Sequence, residues 1–470
     1  MTSATNFLGD VCVLGAGRTG EAVCRYLATL VPRRVSSVTL YGGSSSSAGE
    51  MSHALEAMGV RCVLGTESVD GAYDLVVASP GISEFSRFFS SAREHADEVI
   101  GEPEFAFRES PARWVGITGT NGKTTTTTLT AELLRAGGMR AQTVGNIGTI
   151  VTGELASREE GSWFVAELSS FQLATAVRLH PRVACLLNIT PDHLEWHRSL
   201  EAYAAAKERI FANLDAGDLA VVSVDDARVR LVAERLEARD LRVCRLSVHE
   251  EPDTPCAAFL RDGMLVVRLD GAETSVATVD ELPIKGEHNV ENALAAATMA
   301  LELGVRIDDV RRGLLAFHAL EHRIEPCGEV GGVRFVNDSK ATNTDSVEKA
   351  LTAFLPGTID LLLGGHDKGT ELSSLASAVA ACCRVAVCYG EAGERIACAL
   401  EQAVSASGSP LDVIRAPHMT EAFAAACERA LPGDTVLLSP ACSSFDEFGN
   451  MAERGDLFKR LVAARAAEAV

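Results

Sequence analysis

The segment Gly119-Thr120-Asn121-Gly122-Lys123-Thr124 has the residue types that a phosphate ligand needs. Its glycines let backbone N–H groups wrap round phosphate oxygens. At this spacing Lys123 reaches the β- and γ-phosphates, and the Thr124 hydroxyl holds Mg²⁺. The full-length form of the pattern has glycine where this chain has Ile117, so the loop is a shortened variant. Its context offsets that departure: an apolar run, 114–118, precedes it, and a helix is predicted from Thr125. A helix N-terminus adds about half a positive charge at the phosphate. Mg²⁺ requires further oxygen ligands. Glu167 ends a second apolar run and leads into Glu167-Leu168-Ser169-Ser170-Phe171-Gln172. His193 lies just beyond a third, in Asn188-Ile189-Thr190-Pro191-Asp192-His193. Either residue alone reads as a hydrogen-bonded structural group. Both following strands of one phosphate-loop domain points to metal duty.

A second glycine pattern, Gly15-Ala16-Gly17-Arg18-Thr19-Gly20, stands between an apolar run and an amphipathic stretch. It reads as a pyrophosphate site. A nicotinamide dinucleotide would require a carboxylate about 20 residues further on. That region is Tyr41-Gly42-Gly43-Ser44, without one, which counts against an oxidoreductase. A nucleotide diphosphate of another kind stays open, as does a tight turn with no ligand.

The elements that must position these loops follow from the rest of the chain. At 470 residues it is too long for one ordinary core, and about three domains are expected. Short apolar runs at 11–14, 37–41 and 75–78 alternate with helical patterns, which predicts a parallel, doubly wound sheet. A polar, proline-containing stretch at 108–113 places the first boundary. The second block has strand candidates at 114–118, 163–167, 183–188 and 219–224, and an antiparallel pattern over 251–280. The third begins near His322-Arg323, with strand candidates at 333–337, 359–364, 385–389, 411–414 and 435–438. The expected division is 1–112, 113–320 and 321–470, each α/β with a mostly parallel sheet flanked by helices. The net charge of −21 argues against non-specific nucleic-acid binding and against an anionic membrane surface. No apolar run approaches the roughly 20 residues of a membrane span, and the N-terminus lacks a signal-peptide pattern. The thirteen scattered cysteines, with no CxxC, read as reduced core thiols of a cytoplasmic protein.

Further segments follow in order: Gly145-Asn146-Ile147-Gly148, ELSSFQL from Glu167, NITPDHLEWH from Asn188, and Gly286-Glu287-His288-Asn289-Val290-Glu291-Asn292. After His322-Arg323 come Asn337-Asp338-Ser339-Lys340-Ala341-Thr342-Asn343 and Ser439-Pro440-Ala441-Cys442-Ser443-Ser444-Phe445-Asp446. With these, nearly the whole chain resembles the Mur ligases of peptidoglycan synthesis. The phosphate loop is common to that family. The GNIG, ELSSFQL and SPACSSFDEF segments point to its D-glutamate-adding branch.

The resemblance implies Rossmann-like N- and C-terminal domains around a P-loop ATPase-like centre. It also implies a monomeric enzyme that uses ATP and two Mg²⁺ to join D-glutamate to UDP-N-acetylmuramoyl-L-alanine through an acyl phosphate. Lys123, Thr124 and Thr125 would hold ATP phosphates, and Thr124 and Glu167 the first Mg²⁺. His193 would serve the second, together with Lys207, which matches a lysine carbamylated in this family. Asn289 and Asn292 would lie near the nucleotide. Arg323 and Asp338 would contact ATP, and Lys340 would support the transferring phosphoryl. Thr342, Lys368, Ser444 and Phe445 match the amino-acid site. Gly17, Arg18, Thr19 and Gly81 match the UDP site, and Asn146 the sugar end. Tyr41 departs from relatives that carry an acid there, so uracil recognition must differ or use backbone. His366-Asp367-Lys368 and Met451 fall at variable positions. Two other readings stay open on the residues alone: a ligase of the same fold with a different acceptor, and a nucleotide switch without one.

Overall fold

The computed structural model describes residues 7–468. The first sheet contains β1 (Gly9–Leu14), β2 (Val35–Tyr41), β3 (Arg61–Val63), β4 (Leu75–Ala78) and β5 (Val99–Gly101). All pairings are parallel, in the order β3-β2-β1-β4-β5. The strands are apolar on both sides because helices cover both faces. Val11 and Val13 pack into one core and Cys12 and Leu14 into the other. The order reverses between β1 and β4, so the loops after these two strands flank the crevice where such sheets bind ligands. The Arg18–Leu30 helix buries Gly20, Val23, Cys24 and Leu27, the i, i+3, i+4, i+7 face of an amphipathic helix.

The second sheet contains β6 (Trp114–Thr118), β7 (Ala141–Gly145), β8 (Trp163–Glu167), β9 (Val183–Leu186), β10 (Leu219–Ser223), β11 (Arg242–Ser247), β12 (Ala257–Arg261), β13 (Met264–Leu269) and β14 (Ala272–Thr278). Its order is β14-β13-β12-β11-β10-β9-β6-β8-β7. It is parallel up to β12 and antiparallel across β12, β13 and β14, as the 251–280 pattern predicts. Strand β6 lies between β9 and β8, pairing Ile117 with Glu167 and Thr118 with Leu186. The three loops carrying candidate residues therefore leave the same sheet edge side by side.

The third sheet contains β15 (Glu325–Val330), β16 (Val333–Asn337), β17 (Ile359–Gly364), β18 (Cys383–Tyr389), β19 (Asp412–Arg415) and β20 (Thr435–Ala441), in the order β15-β16-β20-β17-β18-β19. Only β15 is antiparallel. Apolar cores cover both of its faces.

The chain forms two compact units. Among the described residues, one holds 7–279 plus Glu291–Leu314, and so both the first and second sheets. The other holds Asp280–Val290 and residues 315–468. Two sequence expectations need correction. The helix after the phosphate loop starts at Lys123 rather than Thr125, because Gly122, at φ +82°, ends the loop as its N-cap. The strand expected at 183–188 stops at Leu186, since Asn188 is committed to the phosphate loop. All thirteen cysteines are free thiols, most of them buried, and burial pushes Cys12 up to about 12. No helix among the described residues is long and apolar enough to cross a membrane.

Candidate active site

The phosphate loop turns on two glycines with positive φ, Gly119 (+156°) and Gly122 (+82°). A Cβ on Gly122 would lie 2.5 Å from Asn292 Oδ1 and 2.9 Å from Leu187 Cδ1, so the position is closed to side chains on two counts. Asn188 fixes the loop. Its carbonyl accepts from Thr120 N (2.9 Å), and its Oδ1 accepts from Asn121 N (2.8 Å). The Thr120 hydroxyl bonds Tyr203 Oη at 2.9 Å, and Thr126 Oγ1 donates to Asn292 Oδ1 at 3.0 Å. Asn292 thus supports the helix behind the loop, and Thr125, in its first turn, is buried.

Two lysines converge on one carbonyl. Lys123 Nζ donates to Gly119 O (2.9 Å) and to Thr120 O (2.7 Å), and Lys207 Nζ donates to the same Gly119 O at 2.6 Å. Lys207 is 1% exposed, with its amine 4.6 Å from the centre of the Tyr203 ring. Burial, and then the nearby Lys123 charge, hold its amine well below the usual lysine range, while Asp192 and Glu167 act the other way. Two ammonium groups on one oxygen repel, which is the sense in which the Lys123 charge lowers Lys207.

Glu167 is buried at the end of β8. Its Oε1 accepts from Asn146 Nδ2 at 2.9 Å, while its Oε2 is buried without a hydrogen-bond partner. A buried carboxylate oxygen left open costs free energy unless a cation or donor meets it. Such an oxygen at the phosphate-loop strand edge, with Thr124 one residue beyond Lys123, fits Mg²⁺, a hard ion that takes oxygen ligands. Asn146 is held in turn, because its N–H donates to Glu167 O (2.8 Å) and Gly145 N donates to Thr149 O (2.7 Å). His193 sits in the left-handed region at φ +53°, with its ring 4.7 Å from Phe171 and nearly half its side chain exposed. The neighbouring His197 is buried, bonded to Ser170 Oγ (2.9 Å) and stacked on Phe171. Burial, reinforced by Lys207 and His193, lowers it to about 4.

In the second unit, Asp338 follows β16 and is buried. Its Oδ2 accepts from Ser439 Oγ (2.7 Å) and its Oδ1 from Ile324 N (3.2 Å). Burial raises this carboxyl to about 7, against the pull of Ser439, Ile324 N–H and the Arg323 and Arg454 charges. Lys340 N donates to His322 O (3.1 Å), so Arg323, Asp338 and Lys340 form one group. Lys368 Nζ donates to Thr342 O (2.9 Å), and His366 N donates to Ser443 O (2.8 Å), which sets the Lys368 loop beside Ser444. Ser444 is buried, whereas Phe445 is 69% exposed. Asn289 Nδ2 donates to Lys285 O at 2.8 Å, capping the turn that starts the Glu287–Glu302 helix.

The description "Mur ligase middle domain" matches residues 117–300, and "Mur ligase, glutamate ligase domain" matches 322–442. A UDP-N-acetylmuramoylalanine--D-glutamate ligase of Acidobacterium capsulatum is 39% identical over 97% of this chain and 96% of its own length. A protein of the same name from Thermoanaerobacter pseudethanolicus is 37% identical over 96% of this chain and 98% of its own. The chain belongs to the Mur ligase family. Among solved structures, a pseudomurein peptide ligase type C from Methanothermus fervidus has TM-score 0.58 at 17% identity, covering 97% of this chain and 99% of its own. The UDP-N-acetylmuramate-alanine ligase of Thermotoga maritima has TM-score 0.56 at 19% identity, covering 97% of this chain and 99% of its own. At those identities the structures speak for the fold alone, which they share with this Mur ligase.

In the first sheet of this Mur ligase, the glycine turn is sterically required. A Cβ on Gly20 would fall 1.8 Å from Gly15 O. Gly17 caps the Arg18–Leu30 helix without a side-chain bond, so Thr19 and its neighbours present backbone N–H groups at an uncapped helix start. Arg18 Nη2 donates to Gly148 O (3.2 Å), tying this turn to the GNIG loop. A Cβ on Gly81, in the loop after β4, would meet open space. Tyr41 is packed away: its hydroxyl donates to Asp70 O and accepts from Asp70 N, both at 3.0 Å.

Sequence reasoning missed Arg454. It is 0% exposed and donates to Ser339 Oγ (3.0 Å), Ser339 O (2.9 Å), Cys442 O (3.1 Å) and Ser443 O (3.4 Å). Ser339 Oγ donates onward to Met451 O at 2.7 Å. One guanidinium thus joins the loop of Asp338 and Lys340 to that of Ser444. The available signal was a cation in register with Phe458 and Val462 on the buried face of the Met451–Glu468 helix.

Proposed function

We infer that this Mur ligase uses ATP to join D-glutamate to UDP-N-acetylmuramoyl-L-alanine in peptidoglycan precursor synthesis. What carries the reading is the full-length match to relatives bearing that activity as their name. The γ-phosphoryl of ATP passes to the terminal carboxylate of the UDP-substrate, and ADP leaves. The glutamate amine then attacks the acyl phosphate and gives up a proton, and the tetrahedral adduct collapses to amide and phosphate. A free carboxylate is a poor electrophile, and phosphorylation gives it a leaving group. Because two anions meet in the first step, catalysis rests on positioning and charge neutralisation.

Lys123 would leave the loop carbonyls for the β- and γ-phosphates and hold them in line. Thr124 and the open Oε2 of Glu167 would hold a first Mg²⁺, and His193 with carbamylated Lys207 a second. These ions would polarise the phosphoryl oxygens. The neutral amine of Lys207 is the form that adds to carbon dioxide: the nitrogen bonds the carbon, a proton leaves, and an anionic carbamate remains. Arg323, Asp338 and Lys340 would meet the nucleotide, with Asn289 and Asn292 near it. Lys368, Thr342, Ser444 and Phe445 would meet D-glutamate. Gly17, Arg18, Thr19 and Gly81 would hold the UDP group and Asn146 the sugar. Roles divide along the chain as 1–112 for the UDP-sugar, 113–320 for ATP and 321–470 for the amino acid. The enzyme acts as a cytoplasmic monomer.

The test is phosphate release from ATP with the UDP-substrate plus D-glutamate, L-glutamate, meso-diaminopimelate or no acceptor. Release that requires both the UDP-substrate and D-glutamate supports the reading. Release with another acceptor moves the chain to a sister activity. Release indifferent to both substrates overturns it.

A further inference from the structure

The Glu102–Glu109 helix follows β5 of the first sheet directly, and its first turn buries two carboxylates, Glu102 and Glu104, with Pro103 between them. Neither carboxylate serves its own sheet. Glu102 Oε1 accepts from Thr152 N (2.6 Å) and from Thr152 Oγ1 (2.7 Å). Glu104 accepts from Val177 N (3.0 Å), Arg178 N (2.9 and 3.0 Å) and Leu179 N (2.9 Å), and from Arg108 Nε (2.7 Å). Gly101 closes the contact, since a Cβ there would lie 2.2 Å from Thr175 Oγ1.

Arg108 aside, the donors of these bonds lie in the connections between strands of the second sheet, Thr152 between β7 and β8 and residues 177–179 between β8 and β9. Thr152 lies in the Val151–Glu154 turn that directly follows the GNIG loop, and that loop carries Asn146. Residues 177–179 follow the Ser170–Leu173 turn, a few residues beyond Glu167. The chain of contacts is therefore continuous: Glu102 holds Thr152, the loop is closed by Gly145 N on Thr149 O, and Asn146 Nδ2 holds Glu167 Oε1 with its other oxygen open. Burying a carboxylate is expensive, and surface capping residues would have ended the Val151–Glu154 turn more cheaply. A cap supplied by the first sheet instead ties the position of Asn146 to the sheet that carries the Gly15–Gly20 turn.

We propose that Glu102 is a positioning residue for the reaction: from the first sheet it sets the GNIG loop, and through Asn146 the orientation of Glu167. Glu104 fixes the opposite flank of the same strand edge. Because both Thr152 donors go to one oxygen, charge is not essential to the function of Glu102, but an acceptor at that point is. The proposal rests on the ligase reading above, and the wild-type assay with and without the UDP-substrate tests that reading separately.

The experiment compares Glu102→Gln, Glu102→Ala and Thr152→Val with wild type. Calorimetric binding of the UDP-substrate is measured without ATP or Mg²⁺, alongside KM and kcat for each substrate. Glu102→Gln keeps an acceptor and is expected to bind and turn over like wild type. Glu102→Ala is expected to weaken UDP-substrate binding and to lower kcat by about tenfold to a hundredfold, as for other residues that orient a metal's ligands, while binding of a non-hydrolysable ATP analogue stays the same. Thr152→Val keeps the backbone bond and should show a smaller loss in the same direction, which decides the question if the alanine variant does not fold. A folded Glu102→Ala with wild-type binding and kcat overturns the proposal. So does a Glu102→Gln that fails as badly as the alanine variant.

Discussion

Substituting Gly122 by alanine tests the phosphate loop at its most constrained point. The residue is at φ +82°, where an L side chain costs about 1–2 kcal/mol. Its new Cβ would lie 2.5 Å from Asn292 Oδ1 and 2.9 Å from Leu187 Cδ1, and overpacking of this kind typically costs about 1–3 kcal/mol. The two together make about 2–5 kcal/mol. The loop can relieve them only by rotating out of the left-handed region, which turns its N–H groups away from the phosphates. The penalty should therefore appear in nucleotide use more than in unfolding. At about 1.4 kcal/mol per tenfold, kcat/KM for ATP should fall about 30-fold to several-thousand-fold. Gly138→Ala is the control: its φ is +78°, but nothing lies within 4 Å of the added Cβ. It should lower stability by about 1 kcal/mol and leave the kinetics alone. Steady-state phosphate release against ATP concentration, with thermal melts of both variants, measures the contrast. A Gly122→Ala enzyme with the wild-type kcat/KM for ATP would refute the reasoning.

Other perturbations separate chemistry from stability. Lys207→Met should abolish ligation yet raise the melting temperature, because it replaces a fully buried amine with an apolar chain of similar length; a lower melting temperature would contradict this. Asp338 binds its proton up to about pH 7 when folded, but only up to about 3.9 when unfolded. Its contribution to stability is thus fully present below pH 4 and lost as pH rises to 7. Melts of Asp338→Asn against wild type should show a difference that shifts in the variant's favour across that window and is constant above it. Arg454→Lys keeps the charge but strands the carbonyls of Ser339, Cys442 and Ser443, and should destabilise the second unit by about 2–5 kcal/mol in denaturant titrations.

Much of the site was readable because it sits where short apolar strands end. The runs at 114–118 and 163–167 coincide with β6 and β8, so the glycine loop and Glu167 follow from the sequence as strand ends of one domain. What stayed hidden depends on long-range burial. Lys207, within Ala205-Ala206-Lys207-Glu208-Arg209, reads locally as a solvated helix lysine and entered only through the family resemblance. Its burial arises because Tyr203, one turn earlier, points the same helix face at Thr120. Glu102 and Glu104 look like ordinary first-turn acids, and nothing local says that their partners lie 50 and about 75 residues away. The short strands β3 and β5, three residues each, carry too little apolar sequence to register as runs.

The charge distribution explains how a chain of net −21 can handle anionic substrates. Many of its arginines are already neutralised by carboxylates. Arg261 and Arg268 share Glu251 and Glu273, Arg415 takes Glu394 and Glu401, and Arg242 takes Asp270 and Glu302. Such pairs leave little field for a ligand. Two cations among the candidate residues are spent differently: Lys368 rests on the Thr342 carbonyl and Arg18 on Gly148 O. A carbonyl is a weaker partner than a carboxylate, so a phosphate or carboxylate ligand can displace it, whereas a bidentate ion pair resists displacement. By this argument, selectivity for anions comes from which partners hold the cations, and the overall charge of the chain can stay strongly negative.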